Sequence, residues 1–257
     1  MTSQLPSTAP SSTFALALIT GAAQRVGKAL ALRLASLGYA IALHYNTSSA
    51  QAESAASEMR ALGVPVFPLQ ADLRSAAAIE RLFAEIDTLL ANPDARLSGL
   101  SVLVNSAAVM PRGDAQVISA TEFDNVLALN LRAPFLCAQQ AYQRMSVGGL
   151  VVSISDIAAQ KAWTGFPAYT ISKAGLDSLT RVLARSFAPR VRVNAIAPGL
   201  VLASDNVTPD EWQRLVGRLP LPRPAVLDEI GDALEFLLKN EYITGQVIVV
   251  DGGYSLL

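Results

Sequence analysis

Apolar runs that alternate with amphipathic stretches constrain the folding of this chain more than any other feature. Residues Phe14–Ile19 read FALALI, the continuous apolar pattern of a strand covered on both faces. A turn follows at Thr20–Gln24, and then a helical pattern from Arg25 to Leu37 with Val26, Leu30, Leu34 and Leu37 on one face. Gly38 stands where that helix should stop, a position suited to a residue without Cβ. The unit repeats. Further strands are expected at Tyr39–Tyr45, Val64–Gln70, Leu100–Val104, Leu150–Ile154, Val191–Ile196 and Val247–Val250. Helices are expected at Ala50–Leu62, Ala76–Leu90, Thr121–Met145, Tyr169–Phe187 and Ala225–Leu238. Alternation of this kind predicts an α/β, Rossmann-type doubly wound fold: one parallel sheet with helices on both faces, in a single domain.

Asn92–Gly99 reads as a short polar connector within that fold. Leu200–Pro224 is longer, holds four prolines, and has one short helical candidate at Asp210–Arg218. A segment of this length outside the sheet is commonly a lid or substrate loop, with surface packing as the alternative. Residues 1–12 are polar and rich in Pro, Ser and Thr, which predicts a flexible tail ahead of a domain spanning 13–257.

Composition removes several function classes. The net charge is -1, and no basic run is long enough to recruit nucleic acid. No apolar stretch reaches membrane-spanning length, and a cytoplasmic location is the default expectation. Cys137 is the one cysteine, so an internal disulfide is excluded and a buried helical thiol is expected. With His44 as the one histidine, a metal site of ordinary zinc composition is not expected.

The turn after the first strand reads Thr20-Gly21-Ala22-Ala23-Gln24-Arg25-Val26-Gly27. Gly21 can take backbone angles that other residues resist, and Gly27 lets the new helix pack close to the sheet. Amide N–H groups at such a helix start suit a pyrophosphate. Arg25 stands where a further glycine is common, and its cation beside the positive end of a helix makes best sense with an anion present. The second strand ends at His44-Tyr45-Asn46-Thr47-Ser48 without the carboxylate that holds ribose hydroxyls in NAD-selective sites. Thr47 and Ser48 are candidate donors to a 2′-phosphate, so NADP(H) is the expected cofactor. His44 is a further candidate, or else an ordinary strand-end histidine. Asp72-Leu73 follows the third strand, where a carboxylate suits an adenine amino group; the alternative is a helix N-cap, a part Ser75 can also play. Asn105, Ser106 and Ala107 after the fourth strand allow close approach of a cofactor.

Tyr169 and Lys173 are four residues apart on one helical face. A phenol has a pKa near 10, and a neighbouring ammonium lowers it, which makes the pair a proton donor beside a hydride source. Asp156 follows the fifth strand at the carboxyl edge of the sheet, where it can meet Tyr169. Asn130, inside a helix, is a candidate to bend it or to hold a relay water, with a simple buried hydrogen bond as the alternative.

From Thr20 to Gly253 the chain resembles the short-chain dehydrogenase/reductase family. The resemblance rests on TGAAQRVG at 20–27, ADL at 71–73, NSAA at 105–108, Asn130, YTISK at 169–173, RVNAIAPG at 192–199 and ITGQVIVVDGG at 243–253. It implies seven parallel strands, with Gly21, Arg25 and Gly27 at the pyrophosphate, Asp72 at adenine, and Asn105 near the adenosine ribose. It also implies Tyr169 as proton donor supported by Lys173, a water held by Asn130, and Pro198 and Gly199 at the nicotinamide. A homotetramer packed through the helices at 121–145 and 169–187 is implied as well.

Most members carry serine at the position of Asp156. Together with Arg25, His44 and the ending DGGYSL at 251–256, this aspartate is similar to the pteridine reductase branch. The branch implies hydride transfer from NADPH to a C=N bond of a dihydropterin or dihydrofolate, with Arg25, Asp156 and Tyr169 around the ring. Met110 stands at the position of the usual stacking aromatic, and Trp163 and Phe166 are candidates for the outer pocket. The alternatives are a carbonyl or 3-oxoacyl reductase on the same scaffold, and a non-catalytic NADP(H)-binding or redox-sensing protein.

Overall fold

Strand β1 (Phe14–Thr20) explains its own composition. Leu16 and Leu18 enter one core while Ala17 and Ile19 enter another, and all four are fully buried. Successive side chains alternate across a strand, so a strand covered on both faces leaves its central positions to apolar residues. Strand β2 (Ala40–Tyr45) divides the same way, with Ala40 and Ala42 on one side and Ile41 and Leu43 on the other.

The computed structural model describes residues 13–203 and 207–257. The tail expected at 1–12 lies outside the described residues, as do positions 204–206. The remaining strands are β3 (Val66–Gln70), β4 (Leu97–Asn105), β5 (Met145–Ile154), β6 (Val191–Pro198) and β7 (Val247–Val250). All seven form one parallel sheet in the order β3-β2-β1-β4-β5-β6-β7. The chain grows the sheet outward from β1 and then crosses back to β4, so the carboxyl ends of these two strands flank a crevice. On one face pack α1 (Arg25–Ser36), α2 (Ser49–Arg60) and α8 (Leu227–Lys239). On the other pack α3 (Ala76–Ala91), α5 (Ala133–Arg144) and α6 (Pro167–Phe187). Cys137 is buried within α5, where loss of water pushes its thiol up to about 12. No helix among the described residues is long and apolar enough to cross a membrane.

Three elements depart from the sequence expectation by more than two residues. The helix expected over 121–145 is two helices, α4 (Ala120–Leu127) and α5, joined by a wider π turn at Ala128–Arg132. Asn130 sits in that turn with its side chain bound to the backbone of Val109: Oδ1 accepts its N–H at 2.9 Å and Nδ2 donates to its carbonyl at 2.8 Å. Strand β5 starts at Met145, because the glycine-containing stretch to Gly149 already pairs with both neighbours. Strand β4 starts at Leu97, inside the expected connector. Gly38 closes α1 as expected, at φ +88° with its N–H donating to Ala35 O at 3.0 Å.

His44 fastens the site end of the sheet. Its Nδ1 accepts the Gly21 N–H at 3.1 Å, which leaves Nε2 to donate to Ala71 O at 3.0 Å. With both ring nitrogens committed to backbone and the residue 2% exposed, His44, at the edge of the cavity, clamps the turn to the sheet. Burial holds its pKa down at about 4. The unfolded value is about 6.5, so this stabilisation is complete above pH 6.5 and is lost as pH falls from there toward 4, where only the unfolded chain takes up the proton. We expect on the order of 3 kcal/mol of stability to disappear over that interval. His44→Leu should cost about 2 kcal/mol at pH 7.5 and flatten the pH dependence. Denaturation midpoints at pH 7.5, 6 and 5 check both outcomes.

Candidate active site

Closeness of chain segments dictates the glycines at the crevice. A Cβ on Gly21, which sits at φ +67°, would lie 2.9 Å from Ala107 Cα, and one on Gly27 would lie 2.2 Å from Gly21 O. Arg25 also takes the left-handed region, at φ 55°, a conformation that costs a non-glycine residue about 1–3 kcal/mol. Its guanidinium reaches across the crevice to donate to Leu202 O at 3.2 Å and Ala203 O at 3.0 Å. Thr20, a residue the sequence reading passed over, ties β1 to β4: its hydroxyl accepts the N–H groups of Ser106 and Ala107 at 3.0 and 3.1 Å. The available signal was a hydroxyl ending an apolar run.

Gly21, Arg25, Gly27, Ser106, Ala107 and Leu202 line a cavity of about 720 Å³. Val26, Asn46, Thr47, Asp72 and Leu73 border one end; Met110, Asp156, Tyr169, Lys173, Pro198 and Gly199 border the other. Ser75 caps α3 by accepting the Ala78 N–H at 3.3 Å, so Asp72 is not that helix's N-cap. Its carboxylate accepts the Arg74 N–H at 3.0 Å at the edge of the cavity. Tyr45, Ser48 and Asn105 do not line it. Tyr45 packs against the core, Ser48 stands at the N-cap of α2, and Asn105 is buried with Nδ2 donating to Pro134 O at 3.5 Å. A helix start closed by two glycines, a cation, and no carboxylate at the end of β2 together fit a dinucleotide bearing an extra phosphate.

The reactive end is built by the close of β5 and the start of α6. Asp156 caps a short 3₁₀ turn at Ile157–Gln160, with Oδ1 accepting the Ala158 N–H at 2.8 Å. That fixes Oδ2, which accepts the Tyr169 hydroxyl at 2.6 Å. Pro167 opens α6 in its first turn, a place where a missing N–H costs nothing, and so sets Tyr169 at the helix entrance. Lys173 is 3% exposed; its Nζ donates to Ile154 O at 2.6 Å and lies 5.6 Å from the Tyr169 ring centroid. One turn further, buried Asp177 accepts the Ser155 hydroxyl at 2.5 Å.

The electrostatics correct one expectation. Lys173 does not pull the Tyr169 pKa down: burial, then the Asp156 charge and its hydrogen bond, push the phenol well above its ordinary value. Burial also raises Asp156, against hydrogen bonds from Tyr169 and Ala158 and the charge of Lys173. Lys173 is pushed down to about 8 by burial, against Asp156 and Asp177. Asn130 bends its helix at the π turn, one of the readings open in sequence. Its side chain is spent on Val109 and on Ser172 Oγ, at 3.1 Å, and that hydroxyl donates to Tyr169 O at 2.6 Å. The asparagine therefore positions the entrance of α6, and the simple buried hydrogen bond describes its side chain.

A second cavity, of about 780 Å³, shares Met110, Asp156 and Gly199 with the first. Trp163 and Phe166 line it, with ring centroids 6.4 Å apart, and Tyr254 lies 6.1 Å from Trp163. Its outer wall is α7 (Pro209–Gly217), the short helix expected within 200–224. Tyr254 and Trp212 were not anticipated here, because nothing local in sequence ties them to Asp156.

A family model described as enoyl-(acyl carrier protein) reductase matches residues 21–255. The 3-oxoacyl-[acyl-carrier-protein] reductase FabG of Staphylococcus aureus is 32% identical over 244 residues, covering 92% of this chain and 96% of that protein. The chain belongs to the short-chain dehydrogenase/reductase family. Among solved family members, a FolM alternative dihydrofolate reductase 1 from Brucella canis, complexed with NADP, superposes with a TM-score of 0.88 at 34% identity, covering 97% of both chains. A Serratia marcescens short-chain dehydrogenase/reductase gives 0.86 at 30% identity, covering 95% of this chain and 99% of that one. For a reductase of this family, Tyr169→Phe should lower kcat about 100-fold or more while the ring keeps the fold intact. Turnover should also fall above about pH 8, where Lys173 loses the charge it carries below that pH. Lys173→Arg should remove that alkaline limb from the pH profile.

Proposed function

We propose that this protein is an NADPH-dependent pteridine reductase, reducing a C=N bond of dihydrobiopterin, dihydromonapterin or dihydrofolate to the tetrahydro form. NADP(H) is its cofactor, as in the solved relatives from Brucella. When bound, NADPH supplies the hydride. One observation carries the choice of substrate: Asp156, where most of the family has serine, accepts the Tyr169 hydroxyl at 2.6 Å. A carboxylate cannot donate to a carbonyl oxygen, and it repels a developing alkoxide. Beside a ring nitrogen that gains a proton, the same carboxyl is an asset. Burial keeps the Tyr169 phenol protonated until a strongly basic nitrogen draws on it, and Asp156 orients the hydroxyl and shares the proton. Lys173, held by Ile154 O, keeps positive charge next to this pair. Arg25 and Met110 both line the cavity; the guanidinium would meet the phosphate and the ring, and the thioether would stand in for a stacking aromatic.

The likeness to FabG favours a second reading, reduction of a 3-oxoacyl thioester. The two readings part at Asp156. With NADPH, the pterin reading expects turnover of at least one dihydropterin and a loss of roughly 100-fold or more in Asp156→Ser. Fast reduction of a 3-oxoacyl thioester, retained or improved in Asp156→Ser, with no dihydropterin turned over, would establish the other.

Assembly as a homotetramer belongs to the same proposal. Phe135 on α5 and Ile171 and Val182 on α6 are large apolar side chains left exposed, and Phe135 and Val182 border a groove lined by α4, the π turn and α6. Light scattering should give four times the chain mass, and Phe135→Asp should lower it.

A further inference from the structure

The outer cleft is built of aromatic rings and arginines, and protonation of a pterin nitrogen uses neither. Trp163, Phe166, Trp212 and Tyr254 supply the rings. Arg112, Arg214 and Arg218 supply the cations. Two carboxylates face them, and both are engaged. Asp156 holds Tyr169, while Glu211 lies 3.6 Å from Arg112 and accepts the Thr208 N–H at 3.0 Å as part of the capping box of α7. Arg112 lies 5.3 Å over the Phe166 ring. Arg214 and Arg218 are one helical turn apart at the end of α7, a like-charge spacing that Glu211, beside Arg214, offsets in part and that an anion between the two would offset further. Rings suit an aryl group, and guanidinium forks suit carboxylates.

Because this cleft shares Met110, Asp156 and Gly199 with the reaction cavity, a ring seated at Asp156 can extend a side arm into it. We infer that the outer cleft binds an anionic, aryl-bearing arm of the substrate, held at Arg214 and Arg218, and so selects dihydrofolate over dihydropterins with short uncharged arms. The inference rests on the pterin reading and names which pterin. A phosphate ester on a short arm would engage the arginines and leave the rings unused.

The test compares kcat/KM for dihydrofolate, dihydropteroate and dihydrobiopterin in the wild type, in the double variant R214A/R218A, and in R214K/R218K. The wild type should prefer dihydrofolate, with dihydropteroate intermediate. The dihydrofolate-to-dihydrobiopterin ratio should fall about tenfold in the alanine pair, through KM, and less in the lysine pair. KM for dihydrofolate should rise as salt goes from about 50 to about 500 mM. A ratio unchanged in the alanine pair overturns the inference and leaves the pterin reading standing. If no dihydropterin is turned over, the pterin reading has failed on its own, and calorimetry with p-aminobenzoylglutamate still judges the cleft. Binding to the wild type that is lost in R214A/R218A supports an aryl-carboxylate site; no binding to the wild type sinks it.

Discussion

The Tyr169 phenol donates to the Asp156 carboxyl across 2.6 Å at the carboxyl edge of the sheet, and the surrounding structure is arranged to keep them there. Neither group could be left in this cleft without a partner, since an unsatisfied buried polar group costs about 1–3 kcal/mol and an unpaired charge more. Each is held from behind. Asp156 is fixed through the Ala158 N–H, and Tyr169 through a relay in which Asn130 binds Ser172 and Ser172 binds the Tyr169 carbonyl. The π turn that carries Asn130 is thus part of the site's support, and its Leu129 lines the cavity.

The phosphate end shows a different economy. Gly21 and Gly27 let three segments approach to distances that exclude a Cβ, and His44 fastens the turn from below. Arg25 adds left-handed strain where glycine would have none, so its guanidinium must return more than the backbone loses. Its contacts with two loop carbonyls return part of that, and an anion at the helix start would return the rest.

Much of this was legible in sequence for physical reasons. The strands stood out because both sheet faces are covered, and the closing glycines because their backbone angles are demanding. What remained hidden depended on partners far along the chain. Asn130 breaks its helix to reach Val109, 21 residues away, and no periodicity records that. The sequence expectation starts strand β5 only at Leu150, yet Gly149 already pairs with Val191 of β6. His44 is a strand-end histidine in sequence, and only the approach of Gly21 and Ala71 makes it a clamp. Spacing placed Lys173 beside Tyr169 correctly, but burial and a carboxylate 13 residues back outweigh that ammonium.

Within the family, one position separates the two chemistries most similar to this chain. A hydroxyl at 156 would serve a carbonyl; under the proposed pterin chemistry the aspartate, its pKa raised by burial, would serve a nitrogen. Isotope-edited infrared spectroscopy of the Asp156 carboxyl, followed against pH, tests this most directly. A shared-proton pair predicts a protonated-carboxyl band that persists above the ordinary aspartate value of about 3.9 and shifts when Tyr169 is replaced by Phe. A carboxylate that titrates at the ordinary value and ignores the loss of the phenol would contradict it.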